Sequence, residues 1–289
     1  MFLAALMSRK SSAATLSAYR VTLRRFAAFM AERGIEALHD VTAEDLEAYR
    51  LALVEAGYAS ASLHHYVQKL RRFFGWLEAE QRLFDNPAAA LAVPRPDRRL
   101  KFVPSEADMR KLLAGPDVAT ARGLRDRAFI ETAYSTGCRL NEMIGMDVLD
   151  PDTRQGYVRV MGKGRKERVV PLGRQSVHWI KQYLKHARPK LLRGNPDEPA
   201  LWVGHVGRRF SPQIAERAIR RYGEDAGISH PVTPHALRRA CATHMLAHGA
   251  HPVQIQMLLG HASLRSLGQY LSISIKDLKA MHERSKPGR

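Results

Sequence analysis

The sequence predicts a mainly α-helical protein of two domains, with a small β-hairpin or sheet in the second. Apolar residues recur at helical spacing along most of the chain, a basic, proline-containing segment interrupts that pattern, and one stretch alternates apolar and polar residues around a glycine-bracketed turn. The predicted boundaries are an all-helical domain at 12–92, a linker at 93–104 and a mixed α+β domain at 105–289.

The charge of the chain restricts its partners. The 289 residues carry a formal net charge of +18, which favours a polyanion, either nucleic acid or an acidic membrane face. Membrane binding is the weaker option, because no apolar run approaches the roughly 20 residues that span a bilayer. The first seven residues are too short for a signal-peptide core and have no basic residue before them. Cys138 and Cys241 lack metal-ligand spacing, so we expect a reducing cytoplasm.

The first domain contains three predicted helices. The first is the apolar-periodic run from Thr15 to Met30, the second follows a capping-box pattern at Thr42 and Asp45, and the third begins after Ser60. The polar faces of these helices carry basic residues that are compatible with DNA contact or with solvent: Arg24, Arg25, Lys69, Arg71 and Arg72.

The second domain mixes helices with one hairpin. The predicted elements, in chain order, are helices at 106–114 and 124–136, a hairpin at 157–171, a helix at 174–187, a short strand at 201–203 and a helix that begins after Ser211. Ser105 is predicted to cap the first of these helices, and Gly137 to end the second. Ile214, Ala218 and Tyr222 are predicted to face inward from the last helix.

The sequence from Thr233 to Arg238 predicts an anion-binding site. Thr233 is a good N-cap and Pro234 suits the first helical position, so His235 and Arg238 share one face near a helix N-terminus. Unpaired backbone N–H groups and the positive end of the dipole favour phosphate there. The helix is predicted to run to about His248, where Gly249 stops it.

Two further residues stand out only in combination. A short helix at 253–259 ends at Gly260, His261 follows that glycine, and Tyr270 comes nine residues after His261. Taken singly, a histidine at a helix end is more often a cap or a surface residue, and a helical tyrosine is usually packing. Their joint occurrence with the 233–238 stretch favours a catalytic site.

This combination resembles the catalytic box of the tyrosine recombinases, also called the phage integrase family. That box reads His-x-x-Arg, then Leu-Gly-His, then a tyrosine nine residues on. Residues 136–142, Thr-Gly-Cys-Arg-Leu-Asn-Glu, resemble the family's first arginine box, and Lys163 matches a lysine on the family's hairpin. The nearest likeness is to Xer-type site-specific recombinases and to integron or plasmid resolvase-like relatives.

The resemblance implies a SAM-like core-binding domain followed by a catalytic domain, which together clamp duplex DNA. It implies a site-specific recombinase whose catalytic residues are Arg139, Lys163, His235, Arg238, His261 and Tyr270. No cofactor and no metal are expected, because forked arginines can neutralise the non-bridging phosphate oxygens. Tyr270 is the implied nucleophile that forms a 3′-phosphotyrosine, and Lys163 the implied general acid.

Other assignments remain open at this stage. Glu142 is expected to orient a neighbour, while Arg165, Lys166 and Arg168 are expected to contact the DNA backbone or simply be solvated. A type IB topoisomerase shares the tyrosine chemistry, and a DNA-binding protein without cleavage shares the basic surface. The expected assembly is a homotetramer, or a tetramer with a related recombinase, on two double-stranded DNA sites in the nucleoid. A helix in the 274–284 segment is expected to pack against a neighbouring protomer, as the resemblance implies, or else to fold back on its own domain.

Overall fold

The computed structural model describes residues 1–8, 11–94, 101–162 and 167–260. The chain divides into two compact units, Met1–Arg99 and Leu100–Arg289. The described residues are mostly helical and include a three-stranded antiparallel sheet, which confirms the predicted fold class. Among them, no helix is both long enough and apolar enough to cross a membrane.

The first unit is all-helical. Its helices are α1 (Phe2–Ser8), α2 (Ala13–Glu32), α3 (Ala43–Glu55) and α4 (Ser60–Ala79), with a 3₁₀ turn at Leu38–Asp40. The capping box predicted at the start of α3 is present, since the Thr42 hydroxyl accepts from the Asp45 amide at 3.2 Å and the Thr42 amide donates to the Asp45 carboxylate at 3.1 Å.

Sequence patterning gave no role to helix α1, yet this helix completes the core of the first unit. Phe2 is 6% exposed, and its ring packs edge-on against Tyr19 and Phe73 with centroids 5.3 and 5.2 Å away. Seven residues are too few to reveal a helical period. Burial of Phe2 and Leu6 against α2 and α4, rather than intrinsic helix propensity, therefore stabilises α1.

The second unit surrounds a nearly fully buried helix. Its elements are α5 (Glu106–Ala114), α6 (Ala121–Thr136), α7 (Leu140–Ile144), β1 (Pro151–Asp152), β2 (Tyr157–Met161), β3 (Glu167–Pro171), α8 (Arg174–Gln182), a π-helical turn (Tyr183–Ala187), α9 (Arg188–Leu192), α10 (Pro212–Asp225), α11 (Pro234–Ala247) and α12 (Pro252–Leu259). Helix α6 packs against α8 and α11. Gly137 ends α6 in the left-handed conformation, with φ of 59°.

The predicted hairpin is present, and it fixes which side chains enter the core. Strands β2 and β3 pair antiparallel with Val158 opposite Val170 and Val160 opposite Arg168, while β1 adds to the far edge of β2. Val158, Val160 and Val170 are buried, whereas Val169 is 61% exposed. Arg168 therefore lies on the inward face of β3, two residues from Val170.

The prediction of a strand at 201–203 was wrong. Around it the structure has only isolated bridges, between Asp147 and Ala200 and between Val203 and Arg209. The hydroxyl of Tyr183 replaces a strand partner, because it donates to the Leu201 carbonyl at 2.8 Å and accepts from the Val203 amide at 3.0 Å. Buried backbone groups need partners, and a side chain can serve as well as a strand.

The inward face predicted for α10 was wrong in part. Ala215 and Ile219 are buried with Tyr222, whereas Ile214 is 38% exposed. On the buried face, Val232 lies close to Gly223, where an added Cβ would be 2.7 Å from a Val232 methyl carbon. Apolar spacing alone did not reveal this contact, because two faces of α10 carry apolar residues.

Candidate active site

Three of the six predicted catalytic residues lie among the described residues, and these three line one cleft. This cleft has a volume of about 610 Å³ and is lined by residues from the start of α7, the end of β2, α10 and the start of α11. Its lining includes Arg139, His235 and Arg238, so the structure brings these three predicted residues together. The other three, Lys163, His261 and Tyr270, lie outside the described residues.

Arg139 reaches the cleft because of two local features. Gly137 ends α6, and Arg139 then stands at the N-cap position of α7 with its backbone extended. The Glu142 carboxylate accepts from the Arg139 backbone amide at 2.9 Å and from Nη1 of the Arg139 side chain at 2.8 Å. The side chain of Arg139 is 41% exposed. A buried carboxylate thus orients a guanidinium that remains accessible at the cleft.

An arginine beside a glutamate usually forms an ion pair on the surface, but Glu142 is buried. Its side chain is 6% exposed, and Arg168 contacts it through two nitrogens, Nη1 at 3.1 Å and Nη2 at 2.8 Å. Burial on its own would raise the pKa of Glu142, but hydrogen bonds from Arg168 and then from Arg139 outweigh burial and lower that pKa. The carboxylate therefore stays ionised between the two arginines.

The expectation that Arg168 is a solvated charge or a DNA-backbone contact was wrong. Its side chain is 18% exposed and pairs with Glu142, and its Nε also donates to the Leu258 carbonyl at 3.4 Å. The hairpin pattern contained the signal that finds it. Alternate residues of a strand share a face, so a buried Val170 requires Arg168 to point inward as well.

Helix α11 begins as predicted and carries His235 and Arg238. The Thr233 hydroxyl accepts from the Ala236 amide at 3.1 Å, and Pro234 occupies the first turn. Both side chains line the cleft within the first two turns of this helix of 14 residues. The positive end of the helix dipole adds to the side-chain charges there.

Arg238 is buried, which sequence spacing did not reveal. It is 4% exposed, and its Nη1 and Nη2 donate to the Gly137 carbonyl at 2.6 Å and the Leu259 carbonyl at 2.7 Å. This side chain therefore connects the ends of α6 and α12, the last turns before Arg139 and His261 in the chain. Gly137 has a φ of 59°, which strains other residues, and an added Cβ would also displace a Leu259 methyl group that lies 2.6 Å away, so glycine is favoured there.

The environment of His235 favours its neutral form. Partial burial is the largest cause that lowers the pKa of this histidine, followed by the charges of Arg239, Arg238, Lys101 and Arg139. Each cation disfavours a second positive charge on the ring. With a pKa below the ordinary 6.5, His235 is neutral at pH 7 and has a nitrogen available to accept a proton.

Comparison with known proteins identifies the family. Residues 105–276 match the model of the phage integrase family, and residues 1–81 match the N-terminal SAM-like domain of phage integrases. The chain is 38% identical over 277 residues to tyrosine recombinase XerD of Proteus mirabilis, covering 96% of this chain and 88% of that protein. The chain belongs to the phage integrase family. It is a tyrosine-type site-specific recombinase.

Solved structures share the fold of this recombinase. XerH bound to a palindromic difH substrate, in a post-cleavage complex, has a TM-score of 0.76 at 19% identity and covers 96% of this chain and 80% of XerH. A lambda integrase tetramer bound to a Holliday junction has a TM-score of 0.74 at 20% identity and covers 93% of this chain and 74% of that one. The family assignment favours recombination over the topoisomerase and binding-only alternatives.

The lowered pKa of His235 leads to a testable expectation. In a pH titration followed by NMR of the histidine side chains, we expect His235 to titrate below 6.5, its ordinary value. Lys101→Ala should move that pKa upward, because it removes one of the cations that disfavour the imidazolium. Lys111→Ala, at an exposed lysine of α5, is the control and should leave it unchanged. Titration at or above 6.5 in the unsubstituted chain would contradict the described environment.

Proposed function

We propose that the cleft binds the scissile phosphate of double-stranded DNA. The observation that carries this proposal is the presence of Arg139, His235 and Arg238 around one cleft at the N-terminus of α11. Strand cleavage concentrates negative charge on the phosphate oxygens, and fixed cations and helix N–H groups stabilise that charge without reorganising. Arg139 offers an accessible fork, and Arg238 adds a charge held in place by two carbonyls.

The remaining roles follow the family resemblance. The Tyr270 oxygen attacks phosphorus, the bond from phosphorus to the 5′ oxygen breaks, and the 3′ side stays attached as a phosphotyrosine. The tyrosine proton passes to a histidine base, for which His235 is suited by its neutral state. The leaving 5′ oxygen takes a proton from Lys163. Since the new bond is again a phosphodiester, the reverse sequence rejoins DNA without ATP. His261 is the remaining member of the six residues that the family resemblance assigns to catalysis.

The helical first unit is proposed to contact the DNA as well. Arg24, Arg25, Arg71 and Arg72 are exposed on α2 and α4, in a chain with a formal net charge of +18. XerH and lambda integrase are described in complexes with DNA, the latter as a tetramer. For this chain we propose a tetramer on two DNA sites, of this chain alone or with a related recombinase, acting in the nucleoid.

A nicked suicide duplex tests the proposed nucleophile. DNA bound by the recombinase is first recovered from its own genome to define the site, and a duplex nicked near the cleavage position is then prepared. We expect a covalent adduct at a 3′-phosphate through Tyr270, identified by mass spectrometry, which persists in EDTA. Tyr270→Phe should bind the same duplex with unchanged affinity and form no adduct. An adduct that survives this substitution would place the nucleophile elsewhere.

The two arginines of the cleft give a second test. Arg139→Lys and Arg238→Lys keep the charge but lose the planar fork, so each should slow adduct formation far more than it weakens DNA binding. The expected increase in the barrier is about 2–4 kcal/mol, the scale for loss of one such donor. Arg110→Lys, at a side chain 73% exposed on α5, is the matched control and should cleave at the unsubstituted rate. If Arg139→Lys or Arg238→Lys cleaves at the rate of the unsubstituted chain, the substituted arginine has no role in cleavage.

A further inference from the structure

Arg168 joins three parts of the second unit through one side chain. It extends from β3, the strand that follows residues 163–166 of the hairpin in the chain. Its guanidinium contacts both oxygens of Glu142 at the start of α7, and its Nε donates to the Leu258 carbonyl at the end of α12. Its guanidinium also approaches Gly260, where an added Cβ would lie 3.1 Å from Cζ of Arg168.

Arg168 contacts a residue of the cleft without lining the cleft itself. Arg168 is not among the residues that line the cleft, whereas Glu142 and Arg139 are. The two Arg168 nitrogens and the two Arg139 nitrogens share the same carboxylate, so the position of Glu142 depends on both arginines. Among the described residues, Arg139 is the other cationic partner of this carboxylate, which is 6% exposed. Removing one partner of a buried pair leaves the other uncompensated, which draws the remaining cation towards it.

We propose that Arg168 is a positioning residue for strand cleavage, which acts through Glu142 and the end of α12 and makes no contact with DNA. It satisfies the Glu142 carboxylate without lining the cleft, so the exposed guanidinium of Arg139 keeps its orientation towards the phosphate. Its bond to Leu258 fixes the last turn before Gly260 against the same carboxylate. This role rests on the proposed phosphate site, and it adds a residue for which the family resemblance gave no catalytic part.

A lysine at this position cannot replace the arginine. One ammonium cannot span both carboxylate oxygens and a backbone carbonyl in a fixed plane, whereas a guanidinium can. In Arg168→Lys the charge is retained, but Glu142 and the end of α12 lose their common partner. Misplacement of a catalytic group by about 1 Å costs on the order of 10²-fold in rate. The loss should therefore appear in the chemical step.

The test compares Arg168→Lys with Arg159→Lys in single-turnover cleavage of the suicide duplex. Arg159 lies on β2 of the same hairpin, is 50% exposed, and has ion-pair distances of 3.9 and 4.0 Å. We expect adduct formation to slow on the order of 10²-fold in Arg168→Lys and to be unchanged in Arg159→Lys. The dissociation constant for DNA and its dependence on salt should be unchanged in Arg168→Lys, because each lost phosphate contact would reduce the salt slope by about one.

A double-substitution cycle separates positioning from an independent role. Arg168→Lys and Glu142→Gln remove the same connection, so their rate losses should not multiply when combined. Arg168→Ala with added guanidinium ion gives a second measurement, with the folding of every variant checked by circular dichroism. The added ion can restore the lost fork, so the proposal expects partial recovery of the cleavage rate.

The outcomes distinguish this proposal from the proposed function. An unsubstituted chain that forms no adduct through Tyr270 would refute the function itself. A normal adduct rate in Arg168→Lys, losses that multiply with Glu142→Gln, a reduced salt slope of DNA binding, or no recovery of Arg168→Ala with guanidinium ion would refute only the role of Arg168.

Discussion

The buried carboxylate of Glu142 is the constraint on which the described part of the proposed active site depends. A carboxylate only 6% exposed is costly unless it is ionised and fully bonded. Three donors meet that requirement: the Arg139 amide, the Arg139 guanidinium and the Arg168 guanidinium. The same bonds that stabilise the charge also orient Arg139. The exposed arginine is therefore accessible to DNA yet held in a defined geometry.

Arg238 supplies the matching constraint on the other side of the cleft. Its guanidinium donates to carbonyls at the ends of α6 and α12, two turns that are far apart in sequence. Both turns end in a glycine with positive φ, 59° at Gly137 and 63° at Gly260. In the sequence, Arg139 lies two residues after Gly137, and His261 directly follows Gly260. Arg238 therefore fixes the backbone that precedes two other members of the proposed catalytic set.

Local signals in the sequence were sufficient for much of this organisation. Caps and stops act within one turn, so the ends of α11 could be predicted from Thr233, Pro234 and Gly249. The start of α3 could likewise be predicted from Thr42 and Asp45. The 201–203 segment was misassigned because its partner is the Tyr183 hydroxyl, 18 and 20 residues away in the chain. The burial of Glu142 depends on Arg168, 26 residues further along, and no local pattern specifies such a contact. The alternation of β3, which puts Arg168 on the same face as Val170, was the indication in the sequence that Arg168 points inward.

The central claim is that Arg139 and Arg238 hold one phosphate at the start of α11, and a structure with a transition-state mimic tests it most directly. Orthovanadate, bound at the cleavage position of a duplex with the nicked site, would occupy the place of the transferring phosphorus. We expect its equatorial oxygens within hydrogen-bond distance of both guanidinium groups, with His235 beside them. Vanadate bound away from this cleft, or with either arginine turned from it, would contradict the proposed site.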